Sequence, residues 1–163
     1  MKTYIGIDNG VTGSIAILPP GEEPRFFLTP SRKEQDYTKA KQEIRRILVS
    51  RLVDILTMVP PRSTFALLER PMVNPTRWRA SVSAIRADEA TRAVLEMFDI
   101  AYSWVDSKEW QKEFLPKGTS AEDLKVKSRE VGRRLFPTCL GMIENHGDAD
   151  GLFIAEYARR KNL

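Results

Sequence analysis

The chain has one cysteine and one histidine among 163 residues. The lone thiol, Cys139, excludes an internal disulfide framework and a cysteine-rich zinc site, and reads as a half-buried free thiol. No apolar run approaches the length of a bilayer span. The opening "MKTYIGID" meets an acid too early for the basic-then-apolar pattern of a secretory leader. Internal repeats and low-complexity linkers are also missing. These absences set the expectation of a soluble, cytoplasmic protein of a reducing compartment, without membrane attachment, folded as one domain over residues 1–163. Apolar residues at 42% and charged residues at 29% fit such a domain, which is long enough to bury a core.

Acids are scarce in one region. None stands between Glu69 and Asp88, whereas Arg70, Arg77, Arg79 and Arg86 all do, with Trp78 among them. A second basic cluster, from Lys108 to Arg134, is interleaved with Glu109, Glu113, Glu122, Asp123 and Glu130. The net charge of +4 is compatible with a polyanionic partner, and the unbalanced first cluster is the better candidate for phosphate contact.

Residues 3–8 read as a strand, "NGVTG" as a tight turn, "SIAIL" as a returning strand and "RFFLT" as a third antiparallel strand. From Tyr37 to Met58 the apolar residues Ile44, Ile47, Leu48, Leu52, Ile55 and Leu56 recur at helical spacing, which predicts a helix. "TFALLE" reads as a short buried strand and "IAYSWV" as another strand, with "RPMVNPTRWRAS" as a loop and residues 82–98 as a helix between them. "DSKEWQKEFL" predicts a short helix capped by Asp106 or Ser107, and residues 120–135 a basic helix. "FPTCLGMIEN" is irregular, and a last helix is expected from about His146 to Lys161. Three antiparallel strands followed by alternating helices and strands imply a mixed α/β sheet with helices on its faces.

Three acids stand where buried runs end. Asp8 follows "TYIGI", Glu69 closes "TFALLE", and Asp150 precedes the apolar "GLFIA". Singly, each has an ordinary explanation as a turn acid, a surface Glu or a helix N-terminal acid. Together, neighbouring strands that end in carboxylates bring like charges close, an arrangement that is unfavourable without a cation between them. If the last helix begins at His146, that residue shares a face with Asp150, while Asp148 lies on the opposite side and complements the helix dipole. Oxygen donors with at most one imidazole point to Mg²⁺ or Mn²⁺ and away from zinc. Two such ions would hold a phosphodiester, activate water and stabilise the departing oxygen.

Through "IGIDNGVTGSIAIL", "ALLERPMVNPTRWRASVSAIRADEATRAVLE", "WVDSKEWQKEFLP", "KSREVGRRLFP" and "HGDADGLFIAEYARR", the chain resembles the RuvC-like Holliday junction resolvases of the ribonuclease H-like superfamily, the phage and prophage versions in particular. The resemblance implies a ribonuclease H-like mixed five-stranded sheet flanked by helices. It implies a homodimeric, Mg²⁺-dependent endonuclease, two ions per site with Mn²⁺ as a substitute and no other small-molecule cofactor, in a bacterial or phage-infected cell. Its substrate would be branched DNA, with products bearing 5′-phosphate and 3′-hydroxyl ends. Asp8 matches the family's first-strand Asp, Glu69 its central Glu and Asp150 the acid before the last helix. The fourth metal-site position falls on Gly147 by strict spacing, so His146 is assigned to it and Asp148 is the alternative. Arg70, Arg77, Arg79, Lys108, Lys125 and Lys127 are the candidate DNA contacts, and the helix at 82–98 is the candidate dimer element. Two other classes stay open. "GIDNGVTGSIA" is also similar to the first phosphate hairpin of actin-like and sugar kinases, although no second such hairpin follows, and a non-catalytic junction-binding module would need none of the acids.

Overall fold

A computed structural model describes all 163 residues. Strands β1 (Thr3–Ile7), β2 (Ser14–Leu18) and β3 (Arg25–Leu28) form an antiparallel meander; β6 (Thr64–Glu69) pairs parallel to β1, and β7 (Ala101–Val105) parallel to β6. The sheet order is β3-β2-β1-β6-β7, the expected mixed five-stranded sheet. The strands β1 and β2 are buried at every residue, which explains why they read as nearly unbroken apolar runs.

Side-chain alternation sorts the sheet into two faces. Ile5, Ile7, Ile15, Ile17, Ala66 and Leu68 pack with helices α1 (Val49–Leu56) and α2 (Trp78–Met97). Tyr4, Ala16, Leu18 and Leu67 pack on the other face with Phe153, Leu152 and Ala155 of the terminal helix α6 (Asp150–Lys161). That second face also receives α3 (Ser107–Phe114), α4 (Leu124–Leu135) and α5 (Leu140–His146). By the period of two, Asp8 falls on the same face as Tyr4, and Glu69 on the same face as Leu67. The parallel register pairs Ile7 with Leu68, so Asp8 and Glu69 are the next residues along two adjacent strands.

Gly6 sets how closely α6 lies on the sheet. A Cβ at this position would overlap the backbone of Gly151 and Ala155, so the helix rests directly on β1. Gly151 N–H also donates to Ser14 Oγ at 3.1 Å, tying the first turn of α6 to β2.

Five boundaries differ from expectation, one being the basic helix expected over 120–135, which starts at Leu124. The helix expected across 37–58 is instead a two-stranded hairpin, β4 (Ser31–Gln35) with β5 (Glu43–Ile47), followed by the short α1. Helical spacing of Ile44 and Ile47 with Leu52 and Ile55 is coincidental; Asp36 decides the outcome by accepting from Thr38 and Gln42 N–H groups and closing the turn. Helix α2 starts at Trp78, not at 82, because Asn74 caps a 3₁₀ turn over Pro75–Arg77 that leads into it. The segment expected to be irregular contains α5. Lastly, α5 ends at Gly147 with φ 96°, a left-handed stop that separates His146 from α6. The Asp106 cap of α3 is present, its side chain accepting from Lys108 N–H at 2.9 Å. Cys139 is a free thiol, as expected, but buried rather than half-buried. No helix is long and apolar enough to cross a membrane.

Candidate active site

The acids meet at the C-terminal ends of β1 and β6, under the N-terminus of α6. Asp8 is held by its own N–H donating to Ser14 carbonyl at 2.9 Å, across the β1–β2 turn. Glu69 Oε2 accepts from Trp110 Nε1 at 2.8 Å. Trp110 is fully buried between the sheet and Phe153, so the donor that meets Glu69 is fixed. Ser128 of α4 does two things: its Oγ accepts from Ala149 N–H at 2.9 Å and donates to Asp150 Oδ1 at 2.5 Å. The start of α6 and the direction of its first carboxylate are therefore set by one hydroxyl.

His146 and Asp150 do not share a helix face, contrary to the sequence expectation, because the Gly147 stop intervenes. Asp148 is corrected as well. It is 2% exposed and faces the cluster instead of lying opposite to it. Asp8, His146 and Asp148 each offer a ligand atom within 4.8 Å of the others. The alternatives for the fourth position are thus both present. His146 Nε2 lies 3.1 Å from Asp148 Oδ1, close enough for charge attraction although the ring is not aimed for a hydrogen bond. Asp148 beside it raises the His146 pKa, and His146 in turn lowers that of Asp148 against the effect of burial. Lys125 approaches Asp148 Oδ2 at 3.5 Å.

Electrostatics link the remaining acids to this group. Burial, followed by repulsion from Glu69 and Asp148, pushes Asp8 up to about 7. Glu69 is raised to about 7 by burial and by Asp150, against the opposing Trp110 bond. Asp150 is raised to about 7 by burial and by Asp148 and Asp8, against the Ser128 bond. Carboxyls that resist ionisation near neutral pH mark a site short of positive charge. The donor set is hard oxygen with one imidazole, which fits a divalent cation of the Mg²⁺ or Mn²⁺ kind.

Among the candidate DNA contacts, only Lys125 reaches the acids. Arg70, Arg77 and Lys108 are exposed around the rim, Arg79 donates to Gln42, and Lys127 pairs with Glu130 at 2.8 Å. Sequence reasoning missed Ser128 and Trp110. The buried indole N–H of Trp110, which requires an acceptor, was the readable signal; a serine within a basic helix offered none.

Trp110→Phe keeps an aromatic ring, though a smaller one, and removes the donor. Glu69 then loses its one pKa-lowering bond, so the pH profile of any activity that needs the ionised carboxylate is expected to move to higher pH. At pH 7 the rate should fall about tenfold, the worth of a hydrogen bond to a charged group. A pH–rate series of the variant beside wild type measures both.

No family model and no curated protein matches the chain. Solved structures do. The T. thermophilus RuvC structure in complex with a Holliday junction substrate superposes with a TM-score of 0.59 at 12% identity, covering 99% of this chain and 96% of that one. The chain has the fold of RuvC. A second Thermus thermophilus RuvC structure aligns with a TM-score of 0.49 at 13% identity, over 98% of this chain and 96% of that chain.

Proposed function

We propose that the chain is a single nuclease domain that cuts branched DNA, four-way junctions above all, by divalent-metal-dependent hydrolysis of phosphodiesters. The observation that supports this most is the cluster of Asp8, His146 and Asp148, with Glu69 and Asp150 electrostatically linked to it, at the C-terminal ends of two interior strands of a fold shared with a protein solved on a Holliday junction.

Asp8, Glu69 and Asp150 would hold Mg²⁺, two ions per site, with Mn²⁺ able to substitute; Asp148 and His146 would complete the donor set. When bound, such ions supply Lewis-acid activation of the phosphoryl oxygen and of water. The chain's own residues do the rest. Trp110 and Ser128 fix two carboxylates in direction. Where it is not a metal ligand, His146 would orient or protonate near the scissile phosphate, and cleavage would leave 5′-phosphate and 3′-hydroxyl ends. Lys125 and Lys108, with Arg70, Arg77 and Arg79, would contact phosphates and read the shape of the branch rather than base identity. Lys127 joins them on release from Glu130.

Opposed nicks in two strands need two such sites, so the acting species is read as a homodimer. Helix α2 is its candidate element, with Ile85 and Met97 exposed on it. Light scattering on the free protein and on its junction complex measures the stoichiometry, and a strictly monomeric complex would remove this part of the reading.

The decisive assay is cleavage of a synthetic four-way junction against linear duplex and flap controls. With Mg²⁺, paired symmetric nicks in the junction and intact linear duplex are expected; with EDTA, no product. Equal cutting of linear duplex would overturn the branch selectivity, and cutting in EDTA would overturn the metal reading.

A further inference from the structure

The hairpin β4–β5, absent from the sequence expectation, carries most of the chain's surplus charge. Between Ser31 and Ile47 stand six cations, Arg32, Lys33, Lys39, Lys41, Arg45 and Arg46, against Glu34, Asp36 and Glu43, leaving +3 of the chain's net +4. The three acids are already engaged. Glu34 lies 2.7 Å from Arg46 and 3.2 Å from Arg32, and Glu43 holds Lys33 at 2.8 Å. Asp36 is occupied by the turn, accepting from Thr38 and Gln42. Lys39, Lys41 and Arg45 make no ion pair, and Tyr37 projects beside them at 90% exposure.

Stability alone does not account for this arrangement. The ladder sets Arg32 opposite Arg46 and Lys33 opposite Arg45, pairings that weaken a two-stranded ribbon. Lys41 is held at φ 45°, a conformation unfavourable for a side-chain-bearing residue. The ribbon is anchored through α2, which covers the sheet face opposite α6. β5 packs on α2, and Arg79, in the segment that follows Glu69, donates to Gln42 at the base of the ribbon's tip. A mostly apolar cleft of about 300 Å³ between ribbon and helix, walled by Ile44, Ile47 and Ile85, also includes Arg45, Arg46, Arg86 and Val11 of the turn after Asp8.

We propose that the β4–β5 hairpin is a DNA-gripping arm, in which Lys39, Lys41 and Arg45 contact backbone phosphates of a duplex leading to the acid cluster. The inference rests on the DNA-cutting reading above and adds to it a second, sequence-independent contact surface. Phosphate contact of this kind releases counterions, so it is read from the salt dependence of binding.

The test is the triple variant K39Q/K41G/R45Q, with binding to a four-way junction and to linear duplex followed by fluorescence anisotropy in EDTA, from about 50 to 250 mM salt. The slope of log affinity against log salt should become shallower by about 2–3, and affinity at about 100 mM salt should fall roughly 10- to 100-fold. The thermal midpoint should hold nearly level, because K41G removes the strained φ, Lys39 makes no ion pair, and R45Q gives up only an exposed bond to Ser31 Oγ at 3.2 Å. If the triple variant melts early, K39Q/K41G leaves the ladder intact and should still lose about 2 of slope. Unchanged slope and affinity in a folded variant overturn the arm. Wild type that binds but never cuts, with weaker binding by the variant, supports the arm while overturning the nuclease reading. Wild type that binds no DNA overturns both.

Discussion

Replacing Asp8 by Asn is expected to stabilise the metal-free protein while abolishing its activity. Burial, with repulsion from Glu69 and Asp148, pushes the Asp8 carboxyl up to about 7 in the folded chain against 3.8 ordinarily, so the native state binds a proton more tightly than the unfolded chain. The sign follows by linkage: metal-free stability is unaffected below about pH 4, falls as the pH rises from there to about 7, and is level above it. A shift of this size corresponds to roughly 1–4 kcal/mol, the upper figure applying only if Glu69 and Asp150 do not relax in response. Asn carries no charge to desolvate or repel. In EDTA at pH 7.5 its melting temperature should therefore exceed that of wild type by about 3–10 °C. Mg²⁺ or Mn²⁺ should raise the wild-type midpoint and leave the D8N midpoint unmoved. Cleavage should drop at least about a thousandfold, the equivalent of some 4 kcal/mol of transition-state stabilisation. Glu69→Gln is expected to behave alike, with junction binding retained. A D8N protein less stable than wild type in EDTA would sink the account of Asp8 as a strained, cation-seeking acid.

The second large effect is expected at a residue that has no side chain. Gly6→Ala inserts a methyl group where the backbone of α6 rests on β1. The obstacle is main chain rather than a pliable side chain, so the helix must shift as a body. Overpacking of this kind costs about 3 kcal/mol, and more where backbone blocks relief. Urea denaturation should register that loss. Because Asp150 rides on the first turn of α6, the surviving folded fraction should also bind Mn²⁺ more weakly. Gly10→Ala provides the control: a Cβ there meets nothing, so its stability should stay within about 0.5 kcal/mol of wild type. Equal stability of the two variants would show that α6 does not need the close approach.

These expectations separate what was legible in the chain from what was not. The sheet was legible because β1, β2 and β6 are short buried runs bounded by turn residues, and their order in the chain dictates a meander followed by crossovers. Asp8, Glu69 and Asp150 were legible for the same reason: an acid at the end of a buried run is anomalous enough to be noticed. The hairpin at 31–47 was not, since Ile44 and Ile47 happen to lie at helical spacing from residues of the true helix, and only the hydrogen bonds of Asp36 break the tie. Asp148 was misplaced by a single residue, Gly147. A continuous helix turns Asp148 away from Asp150, whereas a left-handed glycine stop lets it face Asp8.

By itself, the sequence determined which side chains are chemically out of place and which face of each strand they occupy, because alternation along a strand is a local rule that needs no partner. Only the tertiary structure decided which of those groups meet. Trp110, Ser128 and His146 come to the acids from three helices and Asp148 from the linker after the left-handed Gly147, while the absent Cβ of Gly6 lets α6 bring Asp150 down onto the sheet; proximity between distant segments is a property of packing that local periodicity does not encode.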